Sequence, residues 1–132
     1  MTFSLVARCA ETGMFGMFVS SSSSTSFPAV AAQCACGRAG IGAVASKNIT
    51  DPTLGPKTLD QIAQGLCALE AVSYVVADAA HVQYRQLLSV DAAGYTSIHS
   101  GSNVLGNWNE AQGVHVASGG NLLDKNSVLG NM

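Results

Sequence analysis

One extended stretch of this chain repeats with helical period, and it lies in the middle. Leu59, Ile62, Ala63 and Leu66 follow the i, i+3, i+4, i+7 spacing of one buried helix face. After Gly65 a second run, Ala68 to Val76, presents Leu69, Val72, Val75 and Val76 in the same way. Thr58 with Gln61 three residues on reads as a capping box that opens the first run, and two short helices or one kinked helix both fit. Everything with a clear period before and after this stretch reads as strand. Two short helices can cover one face of a sheet and no more, so the pattern predicts a layered α+β domain with a mainly antiparallel sheet and one face left to something else.

The strands begin at once. Thr2 to Ala7 fits a half-buried strand, Glu11-Thr12-Gly13 a turn, and Met14 to Val19 a returning strand. First residues are usually loose unless tied down, so an immediate hairpin fixes where Thr2 sits. Cys34 and Cys36 share a face if they lie on a strand, and Gly37 to Asn48 reads as a glycine-rich turn followed by a buried strand, Ile41 to Ser46. Those glycines precede a strand and open no helix, which excludes a phosphate loop. "NITDPTLGPK" is a loop by composition, with Asp51-Pro52 and Gly55-Pro56 as breakers. Tyr84 to Val90 is the next strand, Asp91 to Gly94 a tight turn and "YTSIHSG" the return. Ser102 to Gly120, rich in Gly, Asn and Ser, carries no clear period, and Asn121 to Met132 reads as the start of a helix.

A length of 132 residues with 48% hydrophobic content supports one domain, residues 1–132, with a real core. Charged residues make up 11% of the chain, well below the roughly 25% of an average soluble protein. So little charge implies a surface of small polar residues or one covered by other chains, and the second favours a homo- or hetero-oligomer. Six scattered basic residues against eight acidic ones exclude a nucleic-acid footprint, and no apolar run reaches the length of a membrane span. "AVA" at Ala29 to Ala31 has the form of an export cleavage site, but the basic n-region is missing and seven hydroxyl residues, Ser20 to Ser26, interrupt the apolar stretch. The cytoplasm is the expected compartment, where Cys9, Cys34, Cys36 and Cys67 stay reduced. Their spacing lacks the second pair or the histidines of a zinc site, so no metal is expected, and no organic cofactor motif is present.

Removal of Met1 from before a small residue would give Thr2 a hydroxyl and a free α-amino group on one carbon. The hydroxyl is a weak nucleophile until a base takes its proton, and an α-amine with an ordinary pKa of about 7.7–8.0 can be that base near neutrality. With Met1 in place the Thr2 nitrogen is a peptide amide and this chemistry is closed. Thr2 equally reads as an ordinary β-branched strand residue. Lys47 ends the buried run "GIGAVAS". A cation there could lower a neighbouring amine's pKa and steady developing negative charge, or simply snorkel outward. Asn121 after Gly119-Gly120 could donate its amide to an oxyanion, or serve as a turn residue. Ser21 and Ser22, in the hydroxyl run, could line a pocket or a solvated loop, and His99 ends a strand beside Ser100. These three are the candidate substrate contacts.

"MTFSLVAR", "GRAGIGAVAS", "DPTLGPKTLDQIAQGL", "RQLLSVDAAGYTSIHSG" and "GGNLL" together resemble, in order and spacing, the Ntn-hydrolase-like proteins of domain of unknown function 1028. The resemblance implies an αββα sandwich and N-terminal-nucleophile attack on an amide or related bond. Thr2 matches the family's residue after the initiator methionine; Arg38, Asp51-Pro52, Gly55, Arg85-Gln86, Asp91, His99, Gly101 and Gly120-Asn121 fall on its recurrent positions. Ser46-Lys47 stands where members have a threonine–glutamine pair, and Lys47 is similar in place to the lysine that partners the nucleophile in proteasome β subunits. The serine run from Ser20 and the Cys34/Cys36 pair also depart from the usual apolar residues. Members continue well past the "GNLL" motif, which implies an incomplete sandwich here. Three expectations follow: a hydrolase acting on an amide or cyclic amide of a small molecule; a non-catalytic subunit whose partner chain completes the sandwich and carries the chemistry; or a binding module using the serine-lined loop.

Overall fold

The computed structural model describes residues 1–22 and 34–124. Strand β1 (Thr2–Arg8) and strand β2 (Phe15–Ser21) form the expected opening hairpin, each reaching further than the apolar pattern marked. Strands β3 (Ala35–Arg38) and β4 (Gly42–Lys47) form a second hairpin, so the Cys36 segment is indeed a strand. Helices α1 (Leu54–Ala63) and α2 (Ala68–Asp78) follow, then a single 3-10 turn at Val82–Tyr84. A third hairpin, β5 (Gln86–Asp91) with β6 (Thr96–Ser100), precedes a fourth, β7 (Asn109–Gly113) with β8 (Val116–Asn121).

The strands make two antiparallel four-stranded sheets, in the order β2-β1-β8-β7 and β3-β4-β5-β6. Their facing sides meet in one apolar core of Val6, Ala43, Ala45, Leu88, Val90 and Ala117, closed by Phe15 and Ile98. A second core lies between the other side of the β3–β6 sheet and the helices, built from Val44, Leu54, Leu59, Val72, Val75 and Leu87. The domain is α+β, with described layers running helices, sheet, sheet. The far side of the first sheet carries Phe3 and Phe18, whose rings pack at 5.7 Å, and Phe18 remains half exposed. No helix among the described residues covers that side.

Three expectations change. Helix α1 starts at Leu54, four residues before Thr58, and takes in Gly55-Pro56. Proline is compatible with a first helical turn because its missing N–H has no intrahelical partner there. Thr58 is therefore a buried interior residue whose hydroxyl donates to the Leu54 carbonyl at 2.8 Å, and it caps nothing. Leu69 faces solvent; Ala68, Ala71, Val72 and Val75 form the buried stripe of α2. Gly65, at φ +105, takes the left-handed conformation that separates the two helices, which settles the choice between two helices and one kinked one. The third change is the aperiodic stretch after Ser102: it holds β7 and β8, and β8 is the central neighbour of β1. The residues after Ser22 in the hydroxyl run and the expected helix after Asn121 fall largely outside the described residues.

Candidate active site

Alternation along each strand decides which side chains enter the space between the sheets. On β1 these are Thr2, Ser4 and Val6, because Val6 lies in the inter-sheet core. By the same rule β8 contributes Ala117, Gly119 and Asn121, β4 contributes Ala43, Ala45 and Lys47, and β5 contributes Gln86, Leu88 and Val90. The inward set is thus apolar at one end of the sandwich and polar at the other. Thr2, Ser21, Asn121, Lys47, Gln86 and Ser100 all belong to the polar end.

The register brings the first three together. Thr2 is paired with Ser21 on one side and with Asn121 on the other. The Thr2 and Ser21 hydroxyls lie 2.8 Å apart, and both residues are half-buried and so reachable from solvent. Asn121 is buried, and its Nδ2 donates to Asn48 Oδ1 at 2.9 Å, a bond that joins the two sheets. Asn48 directly follows Lys47, so Thr2 connects to the Lys47 region through two residues.

Lys47 is 1% exposed, and its Nζ has no hydrogen-bond partner. Burial without a counter-ion pushes its pKa down to about 7, with the nearby Cys34 sulfur acting in the opposite direction. Across the strand pair from Lys47 stands Gln86, fully buried. Its Nε2 donates to Ser100 Oγ at 2.9 Å and to the Asn109 carbonyl at 3.2 Å, while Ser100 Oγ donates to Glu110 at 2.5 Å. The Asn109 carbonyl can only accept, which fixes the amide orientation and leaves Gln86 Oε1 buried and unpartnered. Ser4 Oγ and Asn121 Oδ1 are buried without partners as well. Ser46 Oγ, Ser89 Oγ and His115 Nδ1 are likewise buried without partners, so four of the seven such atoms among the described residues face the inter-sheet space.

Gly119 makes this close approach possible. A Cβ there would stand 2.9 Å from Gln86 Cδ and 3.0 Å from Leu88 Cδ2. Any side chain there would have to displace the ends of Gln86 and Leu88.

The other expected residues separate from this group. Ser22 accepts from the Met1 amino group at 2.8 Å, outside the inter-sheet space. With Met1 present, that amine belongs to Met1 and the Thr2 nitrogen is a peptide amide. His99 pairs with Leu87, so it points to the helix side of its sheet, where its Nε2 lies 3.0 Å from the Val82 carbonyl. Asp91 is buried and structural: its carboxylate accepts from the Ala68, Ala93 and Tyr95 N–H groups. Arg38 is exposed and pairs with Asp60 at 2.9 Å. Gln86 and Asn48 were missed as site residues. A glutamine on the same alternating face as Leu88 and Val90 was a readable signal; Asn48 had none.

Several clefts lie elsewhere, one of about 490 Å3 against Tyr95, Thr96 and Val114. Another of about 470 Å3 opens between the β1–β2 and β3–β4 turns, against Met14, Phe15 and Met17. A smaller one of about 190 Å3 sits between the helices, against Gln61 and Tyr74. None of these is lined by Thr2 or Lys47. Among the described residues no cluster of His, Cys, Asp and Glu could hold a metal ion, and no helix is long and apolar enough to cross a membrane.

No curated protein matches the chain. The crystal structure of protein SPO2555 from Silicibacter pomeroyi, described as a member of family DUF1028, superposes with a TM-score of 0.89 at 28% sequence identity. The match covers 98% of this chain and 58% of that one, so this chain spans little more than half the length of its relative. Residues 2–132 match the family described as a family of unknown function, DUF1028. The chain therefore belongs to the DUF1028 family.

Proposed function

We propose that this chain is an N-terminal-nucleophile hydrolase acting on an amide or cyclic amide bond of a small molecule in the cytoplasm, on a sandwich of the Ntn type. The observation that carries this reading is the pairing of Thr2 with Asn121, which bonds to the residue following the buried, unpartnered Lys47, at one end of the inter-sheet space.

The chemistry requires loss of Met1. The α-amine of Thr2 then takes the hydroxyl proton as Oγ1 attacks the substrate carbonyl carbon. Lys47, when protonated, holds that amine in its neutral form by like-charge repulsion across a low-dielectric interior. The oxyanion is held by backbone N–H groups or by the second Nδ2 hydrogen of Asn121, the first being committed to Asn48. The ammonium returns its proton to the leaving nitrogen as the C–N bond breaks, which leaves an ester on Thr2. Water, deprotonated by the same amine, hydrolyses the ester and releases the acid.

The test is turnover of a panel of amides and cyclic imides by the chain whose intact mass lacks methionine, with Thr2→Ala as control. Activity lost in Thr2→Ala at unchanged fold supports the reading. Activity that survives it, or that appears in the methionine-bearing chain, defeats it.

The side of the first sheet that no described helix covers, with Phe3 and Phe18, favours a second reading. In it the chain is a structural layer whose partner completes the sandwich and carries the chemistry. Turnover by the chain alone separates the two: a purified chain that hydrolyses amides with no second chain present excludes it.

A further inference from the structure

Asn48 and Ile49 take consecutive left-handed conformations, at φ 62 and 58. A non-glycine residue there is uncommon, and for a β-branched isoleucine it is an outlier that persists only where surrounding contacts impose it. Those contacts are identifiable. Arg85, itself buried, donates through Nη1 to the Ile49 carbonyl and through Nε to the Ala80 carbonyl at 3.1 Å. Asn48 Nδ2 donates to the Tyr84 carbonyl. That carbonyl can only accept, so the Asn48 amide has one possible orientation, with Oδ1 facing Asn121.

We infer that Asn48 is a positioning residue for the Thr2 site: the strained pair aims its carboxamide across the sheets, and this fixes the Asn121 amide beside Thr2. The inference rests on the hydrolase reading above. One hydrogen of Asn121 Nδ2 is taken by Asn48 Oδ1, and the plane of the amide then directs the other. Without Asn48 the Asn121 side chain has no described partner that sets this angle. The strain at residues 48 and 49 is the local cost of the alignment, and the grip of Arg85 sustains it.

A β-lactone tests this on the methionine-free chain without knowledge of the substrate. A Thr2 Oγ1–acyl bond forms as the lactone C–O bond breaks, the hydroxyl proton passes to the opened alkoxide, and the chain gains the full lactone mass. Asn48→Gly keeps the left-handed backbone and deletes the carboxamide; Asn48→Asp keeps an acceptor for Asn121. The expected result is a fall of about ten-fold or more in the saturating rate for Asn48→Gly, with little change in the half-saturating lactone concentration. Asn48→Asp, which keeps the acceptor for Asn121 but sets a carboxylate oxygen against the Tyr84 carbonyl, is expected to recover part of the rate. Labelling of Asn48→Gly at the wild-type rate, or equal loss in both variants, overturns the role of Asn48 alone. Failure to label the wild-type chain, or labelling of Thr2→Ala, overturns the hydrolase reading and this inference together.

Discussion

Lys47 and Gln86 stand directly opposite each other on β4 and β5, both fully buried, and each carries a polar atom that no hydrogen bond satisfies. Lys47 titrates near pH 7 in the folded chain and near 10.5 when unfolded. Between these values the unfolded chain binds the extra proton. Folding stability therefore rises as pH increases from about 7 to 10.5 and is lowest, and flat in this respect, below 7. Lys47→Met removes the penalty, and urea unfolding at pH 6 is expected to show a gain of about 2–4 kcal/mol that shrinks toward pH 10. A gain of equal size at both pH values would show that packing, and not buried charge, is responsible.

Gly119→Ala is expected to lower stability by about 1–3 kcal/mol, because the added carbon meets Gln86 and Leu88 at van der Waals overlap. Thermal unfolding measures the loss. Gly16→Ala, on the same sheet with nothing within 4 Å, serves as the comparison and is expected to show little change. Equal effects at the two positions would mean that the sheets tolerate separation at the site.

Ile49→Gly relieves a left-handed isoleucine that is 58% exposed, and chemical denaturation is expected to show a gain of roughly 1 kcal/mol. A loss instead would show that the Ile49 side chain makes contacts worth more than its backbone strain.

Asp91→Ala removes a buried carboxylate that accepts three backbone N–H groups and ties the start of α2 to the β5–β6 turn. A cost of about 3 kcal/mol or more is expected in denaturant melts. Asp91→Asn should recover only part of it, because one amide oxygen cannot serve all three donors.

Much of the frame was readable from the chain because it depends on local pattern. The Thr2 hairpin follows from alternation and a Glu-Thr-Gly turn, and the helical pair from period and a glycine break. What escaped was set by distant partners. Gly119 and Gly120 lower strand propensity by themselves, yet β8 needs them because β5 and Leu123 approach that closely. Pro56 reads as a breaker to anyone who cannot see that the helix starts two residues earlier. Thr2, Lys47 and Asn121 could each be named from residue chemistry; that Thr2 pairs with Asn121, and that Asn121 bonds to the residue after Lys47, depends on register across two sheets, which no local pattern encodes. His99 shows the converse, since its parity on β6 sends it to the helices.

Met1 is stitched into the opening hairpin: its carbonyl accepts from the Ser22 N–H at 2.9 Å and its amine is held by Ser22 Oγ. An aminopeptidase needs that end of the chain loose and extended. On the hydrolase reading, maturation is a race between trimming and hairpin closure, decided largely while the chain is being made. A batch produced under conditions that slow trimming is then expected to hold two populations of one fold, of which only the trimmed one would carry the Thr2 amine.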